Sequence, residues 1–112
     1  MFSGTLYFDD GSDDRLTVNR LIIRDNEIAF NIVATWNGMT TLIELDGIAS
    51  HYRNEYISEG IIPKPINSNF HPVTITVHLL EPFENGISIE GSWETKMTKI
   101  NFSGDLENTI NH

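Results

Sequence analysis

The chain has no cysteine in its 112 residues. That removes disulfide staples, thiolate metal sites and a cysteine nucleophile together. Positive charge is scarce, with seven Lys and Arg against sixteen Asp and Glu, for a net charge of −9. A surface of that sign repels phosphate backbones and anionic lipids, so neither nucleic-acid nor membrane binding is expected. Apolar runs stop after a few residues, far short of the roughly 20 that a membrane-spanning helix needs. The N-terminus, Met1-Phe2-Ser3-Gly4, has no basic segment followed by an apolar one. No secretory signal is visible there, and a cytoplasmic protein is expected. No Gly-x-Gly-x-x-Gly, phosphate loop or Gly-x-Ser-x-Gly occurs, which excludes the common nucleotide and serine-hydrolase signatures.

What the sequence has instead is alternation. Ile87, Ile89, Gly91 and Trp93 share one parity, and Ser88, Glu90, Ser92 and Glu94 the other. After a turn at Thr95–Thr98, Ile100, Phe102, Gly104 and Leu106 resume the pattern. Period-two alternation marks strands with one buried face. The N-terminal Phe2-Ser3-Gly4-Thr5-Leu6 echoes Phe102-Ser103-Gly104-Asp105-Leu106, so the first and last strands are natural partners to close a sheet.

Between them, Arg15 to Arg24 changes parity from Leu16 and Val18 to Leu21 and Ile23, which predicts a bulge near Asn19-Arg20. Ile28, Phe30, Ile32, Ala34 and Trp36 form a clean strand, and Asn37-Gly38 a hairpin signal. Met39 to about Ser50 is the next strand. His51 to Ser58 continues it or forms another, and is the one place where a short helix fits. Gly60–Pro72 carries three of the four prolines together with Ile61, Ile62, Ile66 and Phe70, and reads as an ordered loop over one end of the sheet. Val73 to Leu79 is a strand that Pro82 ends, and Asn85-Gly86 is a second hairpin signal. At 112 residues this is one domain, residues 1–112, able to bury roughly two-thirds of its unfolded surface. The predicted class is all-β: an antiparallel meander of seven or eight strands closing up-and-down into a barrel, with a β-sandwich as the alternative.

The meander, the Asn-Gly hairpins, the matching end strands and Gly91-Ser92-Trp93 resemble small calycin-type barrels, the lipocalin and avidin architecture. Lipocalins carry their Gly-x-Trp near the first strand, whereas here it comes late, and Gly4-Thr5-Leu6 lacks the Trp. The resemblance implies a barrel with a ligand cavity at an end loop, and carries over no site residue.

Candidate sites are few. Asp9, Asp10, Asp13 and Asp14 surround Gly11 and offer calcium its oxygen ligands, but an EF-hand's bidentate Glu has Thr17 at its place. No two of the four histidines have local metal-site spacing, so no cofactor is expected. His51, Tyr52, Arg53 and Tyr56 are the most chemically varied segment and suit a pocket mouth, with His51 and Arg53 on one strand face and Tyr52 and Tyr56 on the other. Trp36 and Trp93 point inward, as core or as the wall of a small-ligand site, and Ile66 and Phe70 suit its lid. No catalytic constellation is recognised.

Three functions follow. The first is a non-catalytic acidic binding module of inhibitor or immunity type, acting on a basic protein partner. The second is a calycin-like carrier of a small apolar or aromatic ligand. The third is an enzyme using His51, Tyr52, Arg53 and Glu55 at the barrel mouth. Either a monomer or a homodimer fits, the dimer through an edge along Arg15–Arg24.

Overall fold

The computed structural model describes residues 1–36, 41–62 and 72–109, the side chains of Trp36, Thr41 and Leu42 excepted. Eight strands follow one another: β1 (Phe2–Phe8), β2 (Arg15–Ile23), β3 (Glu27–Trp36), β4 (Thr41–Tyr52), β5 (Glu55–Ile61), β6 (Val73–Phe83), β7 (Gly86–Glu94) and β8 (Lys99–Asn108). Each pairs antiparallel with the next, and β1 pairs with β8, so the meander closes into a barrel. The matching ends meet as expected, Gly4 opposite Leu106 and Phe8 opposite Phe102.

Alternation decides which side chains enter. Ile28, Phe30, Ile32 and Ala34 of β3 lie opposite Ala49, Gly47, Leu45 and Ile43 of β4, and every large member of this set is buried. Ile87, Ile89 and Trp93 supply the same face from β7, and Phe102 and Leu106 from β8. Phe8 meets Trp93 and Phe102 edge-on, with ring centroids 6.0 and 6.4 Å apart, the arrangement that aromatic quadrupoles favour. Gly91 makes room for this cluster, since a Cβ there would lie 2.7 Å from Phe102 Cζ. Residual space inside is about 20 Å³, walled by apolar residues including Leu6, Phe30, Ile75 and Phe102. That is room for about one water, without the polar partners a buried water needs.

The parity change in β2 is a bulge, as predicted, between Val18 and Arg20. It restores the inward face and leaves β2 paired on both sides from Arg15 to Leu21, to β1 and β3. The segment from His51 to Ser58 is a hairpin rather than a helix: β4 runs to Tyr52 and β5 starts at Glu55. β6 does not stop at Pro82 but runs to Phe83. Its pairing with β5 ends at Val77, so Pro82 is flanked by β7 alone and its missing N–H costs no ladder bond on the other side. β5 likewise extends through Gly60 and Ile61, which the sequence assigns to the loop; Asn37-Gly38 and residues 63–71 of that loop lie outside the described residues.

Candidate functional site

In an up-and-down barrel alternate turns share an end. The β1–β2 and β7–β8 turns therefore lie at one end, and the β2–β3, β4–β5 and β6–β7 turns at the other, with Met1 and Thr109. This separates the sequence-predicted site residues into two groups. Trp36 and Trp93 close their strands at the first end. His51, Tyr52, Arg53 and Tyr56 gather at the second. Ile66 and Phe70 lie outside the described residues.

Trp93 is 4% exposed and held edge-on by Phe8, so its ring is spent on the core. The aspartate loop is spent on its own turn. Asp10 Oδ1 accepts from the Ser12 amide at 3.0 Å and from the Ser12 hydroxyl at 2.6 Å. The Ser12 hydroxyl bond, seconded by the amide, holds the Asp10 carboxyl below its ordinary range. The Ser12 oxygen in turn accepts from the Asp14 amide, and the Asp13 carbonyl accepts from Arg15. Asp9 points its amide at the Asn101 carbonyl of β8. Among the described residues no three acidic or histidine side chains converge on a point where a metal ion would sit.

The second group does assemble. Arg53 and Asn54 form the two-residue β4–β5 turn with φ of 51° and 68°, the left-handed pair of a type I′ hairpin. Asn accepts that conformation readily; Arg does so at a cost. The turn places the Arg53 guanidinium 5.2 Å from the Tyr52 ring centre and the rings of His51 and Tyr56 5.0 Å apart. The pairing is thus His51 with Tyr56 and Tyr52 with Arg53. It differs from the sequence-based assignment because the tight turn sets His51 and Tyr56 opposite each other across the hairpin. His51 is further fixed by its amide, which donates to the Asn26 carbonyl of the neighbouring turn at 2.8 Å.

From this tip a groove of about 480 Å³ runs along the outer face, lined by Ile48, Ser50, Tyr52, Ile57 and Glu59. Its volume lies in the range of ligand clefts, about 300–1,000 Å³, although it is open rather than enclosed. Ile48 is 51% and Tyr52 58% exposed, and half-buried Ile57 lies beside them. Acid surrounds them: Glu44, Asp46 and Glu59 are exposed. Asp46 reaches Arg20 at 3.7 Å, and Glu44 Oε1 accepts from the Asn31 side-chain Nδ2 at 3.1 Å. Among the described residues neither Glu44 nor Glu59 has a cationic partner. Sequence reasoning found the hairpin tip from its mixed composition but missed Ile48 and Glu59. The signal was available, since Leu42 and Ile48 sit on the outward parity of β4.

A second cleft of about 170 Å³ lies across β6, β7 and β8, where Asp9, His78, Glu90, Asn101 and Ser103 meet. His78 Nε2 and Glu90 Oε2 are 4.0 Å apart there, both well exposed. It is small and polar and holds no convergent catalytic set. No helix among the described residues is long and apolar enough to cross a membrane. No protein-family model matches this chain, and no curated protein sequence does either.

Proposed function

We propose that the protein is a non-catalytic, acidic binding module of inhibitor or immunity type that works by covering a basic site on a protein partner. The observation that carries this reading is the outer face of the β4–β5 hairpin. There exposed Ile48 and Tyr52 stand among Glu44, Asp46 and Glu59. An aromatic anchor within a charged rim is the usual anatomy of a protein-binding patch. The net charge of −9 would steer a basic partner toward it. The roughly 20 Å³ left inside the described barrel supports this reading over a small-molecule carrier, even with the calycin-like architecture that the barrel resembles. A cytoplasmic setting belongs to the same proposal, since a cysteine-free domain makes no use of an oxidising compartment.

The test is surface-plasmon kinetics against a partner captured on the immobilised protein and then purified. The association rate is expected to fall about tenfold between low and high salt, and Tyr52→Ala to cost about 2 kcal/mol of affinity. Association that ignores salt, or that survives Tyr52→Ala and Ile48→Ala unchanged, would overturn the proposal.

A further inference from the structure

Arg53 behaves unlike the other arginines paired on this surface. Arg20 takes the Asp46 carboxylate, and Arg24 takes that of Glu27. Arg53 forms no ion pair among the described residues, on a chain with sixteen Asp and Glu. Its guanidinium lies instead 5.2 Å from the Tyr52 ring centre, within the range of a cation–π contact. The backbone beneath it has φ of 51°, a left-handed conformation that a residue with a Cβ adopts at a cost.

Carboxylates stand beside that ring all the same. Tyr52 and Glu55 are directly opposed across the β4–β5 hairpin, so their side chains leave the sheet on one face. Glu59 shares the parity of Glu55 along β5 and lines the groove together with Tyr52. Arg53 is tied to the turn and reaches the ring alone, with neither carboxylate at ion-pair distance. A cation that came to the ring from outside would meet both the ring and Glu55.

We infer that the Tyr52 ring and the Glu55 carboxylate form a subsite for an arginine side chain of the basic partner, and that Arg53 fills the ring in the free protein. This rests on the binding-module reading and names the group that the hairpin face recognises. The intramolecular contact supplies the chemistry of the occupant. A planar guanidinium already stacks there, and guanidinium is the cation that joins ring stacking to a carboxylate fork. The exchange is driven by what each guanidinium gains. The partner's gains the ring and a carboxylate, whereas Arg53 gives up the ring alone. Arg53 thus sets specificity, because an uncharged side chain does not offset its displacement.

The probe is an acetylated, amidated Gly-Arg-Gly peptide at millimolar concentration, compared with the same peptide carrying citrulline, which keeps the shape without the charge. Binding is followed at low salt by the NMR shifts of the amides from His51 to Glu59. The arginine peptide is expected to bind about tenfold more tightly than the citrulline one. Arg53→Asn, which suits the left-handed turn, should tighten arginine binding about threefold by clearing the ring. Arg24→Ala removes the same charge at the neighbouring turn and should gain less than half as much. Tyr52→Leu should abolish the preference for arginine over citrulline. Equal gains from Arg53→Asn and Arg24→Ala would assign the effect to net charge and overturn the role of Arg53. Equal binding of the two peptides, no binding of either, or a preference unchanged in Tyr52→Leu would overturn the subsite. The salt dependence of the captured partner's association would still decide the binding module separately.

Discussion

Single residues carry the tightest constraints in this barrel. Gly91 lies on the inward parity of β7, with the Thr76 carbonyl oxygen of β6 and then the Phe102 ring where its side chain would be. Gly91→Ala is expected to cost about 3 kcal/mol through overpacking, measured by urea unfolding; a loss under 1 kcal/mol would mean that both the Phe102 ring and the β6 backbone at Thr76 give way freely. Arg53 and Asn54 show the opposite case, a turn built without the residues that suit it best. Replacing them together with Asn-Gly is expected to raise stability by about 1 kcal/mol, net of the Arg53–Tyr52 stacking it removes. For a domain of this size that is a gain of about 4 °C in Tm, and no gain would show that the stacking offsets the backbone cost in full. In the aspartate loop, the Ser12 bonds lower the Asp10 pKa, so the ionised form is favoured in the folded state. The associated stabilisation of the turn is present above the ordinary aspartate range and fades as pH falls through the lowered value. Ser12→Ala removes the hydroxyl bond and keeps the amide one, so it should move the Asp10 titration, followed by carboxyl NMR, part of the way back toward the ordinary range; an unmoved midpoint would assign the shift elsewhere.

At the level of the strand, most of the architecture was legible because one rule governs it. A residue facing in must be apolar or small, and its neighbour need not be, so β1, β3, β7 and β8 could be read from parity. The β2 bulge could be read from the break in parity between Val18 and Leu21. Turns were less legible. Asn85-Gly86 announces a type I′ turn, yet the turn residues are Glu84 and Asn85, and Gly86 opens β7 opposite Phe83. Glycine is needed there for the close approach of the Leu106 carbonyl of β8, with the Phe83 ring next, its Cζ 2.8 Å from where a Cβ would lie. The left-handed pair sits instead at Arg53-Asn54, where no composition rule would place it. The candidate site was half legible for the same reason. Its hairpin tip has a distinctive composition, but bringing Ile48 of β4 and Ile57 and Glu59 of β5 to one groove depends on the pairing of two strands, which no local pattern encodes. The hairpin also makes an element-scale prediction: Tyr56→Ala removes both the His51 ring contact and a side chain packed against the core. It should destabilise the protein by about 2–3 kcal/mol, whereas Tyr52→Ala should leave unfolding within about 1 kcal/mol and act on binding.

For the whole molecule, charge and closure dominate. Sixteen carboxylates face seven Lys and Arg, and the ion pairs described are exposed ones, Arg20–Asp46, Arg24–Glu27 and His78–Glu90. Such pairs contribute little, about 0–1 kcal/mol each, while self-repulsion acts on the compact state as a whole. Thermal stability should therefore rise on adding salt at neutral pH, by a few degrees for about 1 kcal/mol of relieved repulsion. A Tm that falls with salt would show that the exposed pairs outweigh the repulsion.

Closure of β1 on β8 has a consequence of a different kind. The Thr109 amide donates to the Met1 carbonyl at 2.8 Å, so the eight strands form a ring whose opening point is an accident of gene order. A short linker from residue 112 to Met1, with new ends cut between Lys96 and Met97 in the exposed β7–β8 turn, should yield a circular permutant with the same barrel. In the native order, any fusion partner or affinity tag on Met1 emerges at the end of the barrel that carries Arg53 and Tyr52. In the permutant it emerges at the opposite end, leaving the hairpin clear.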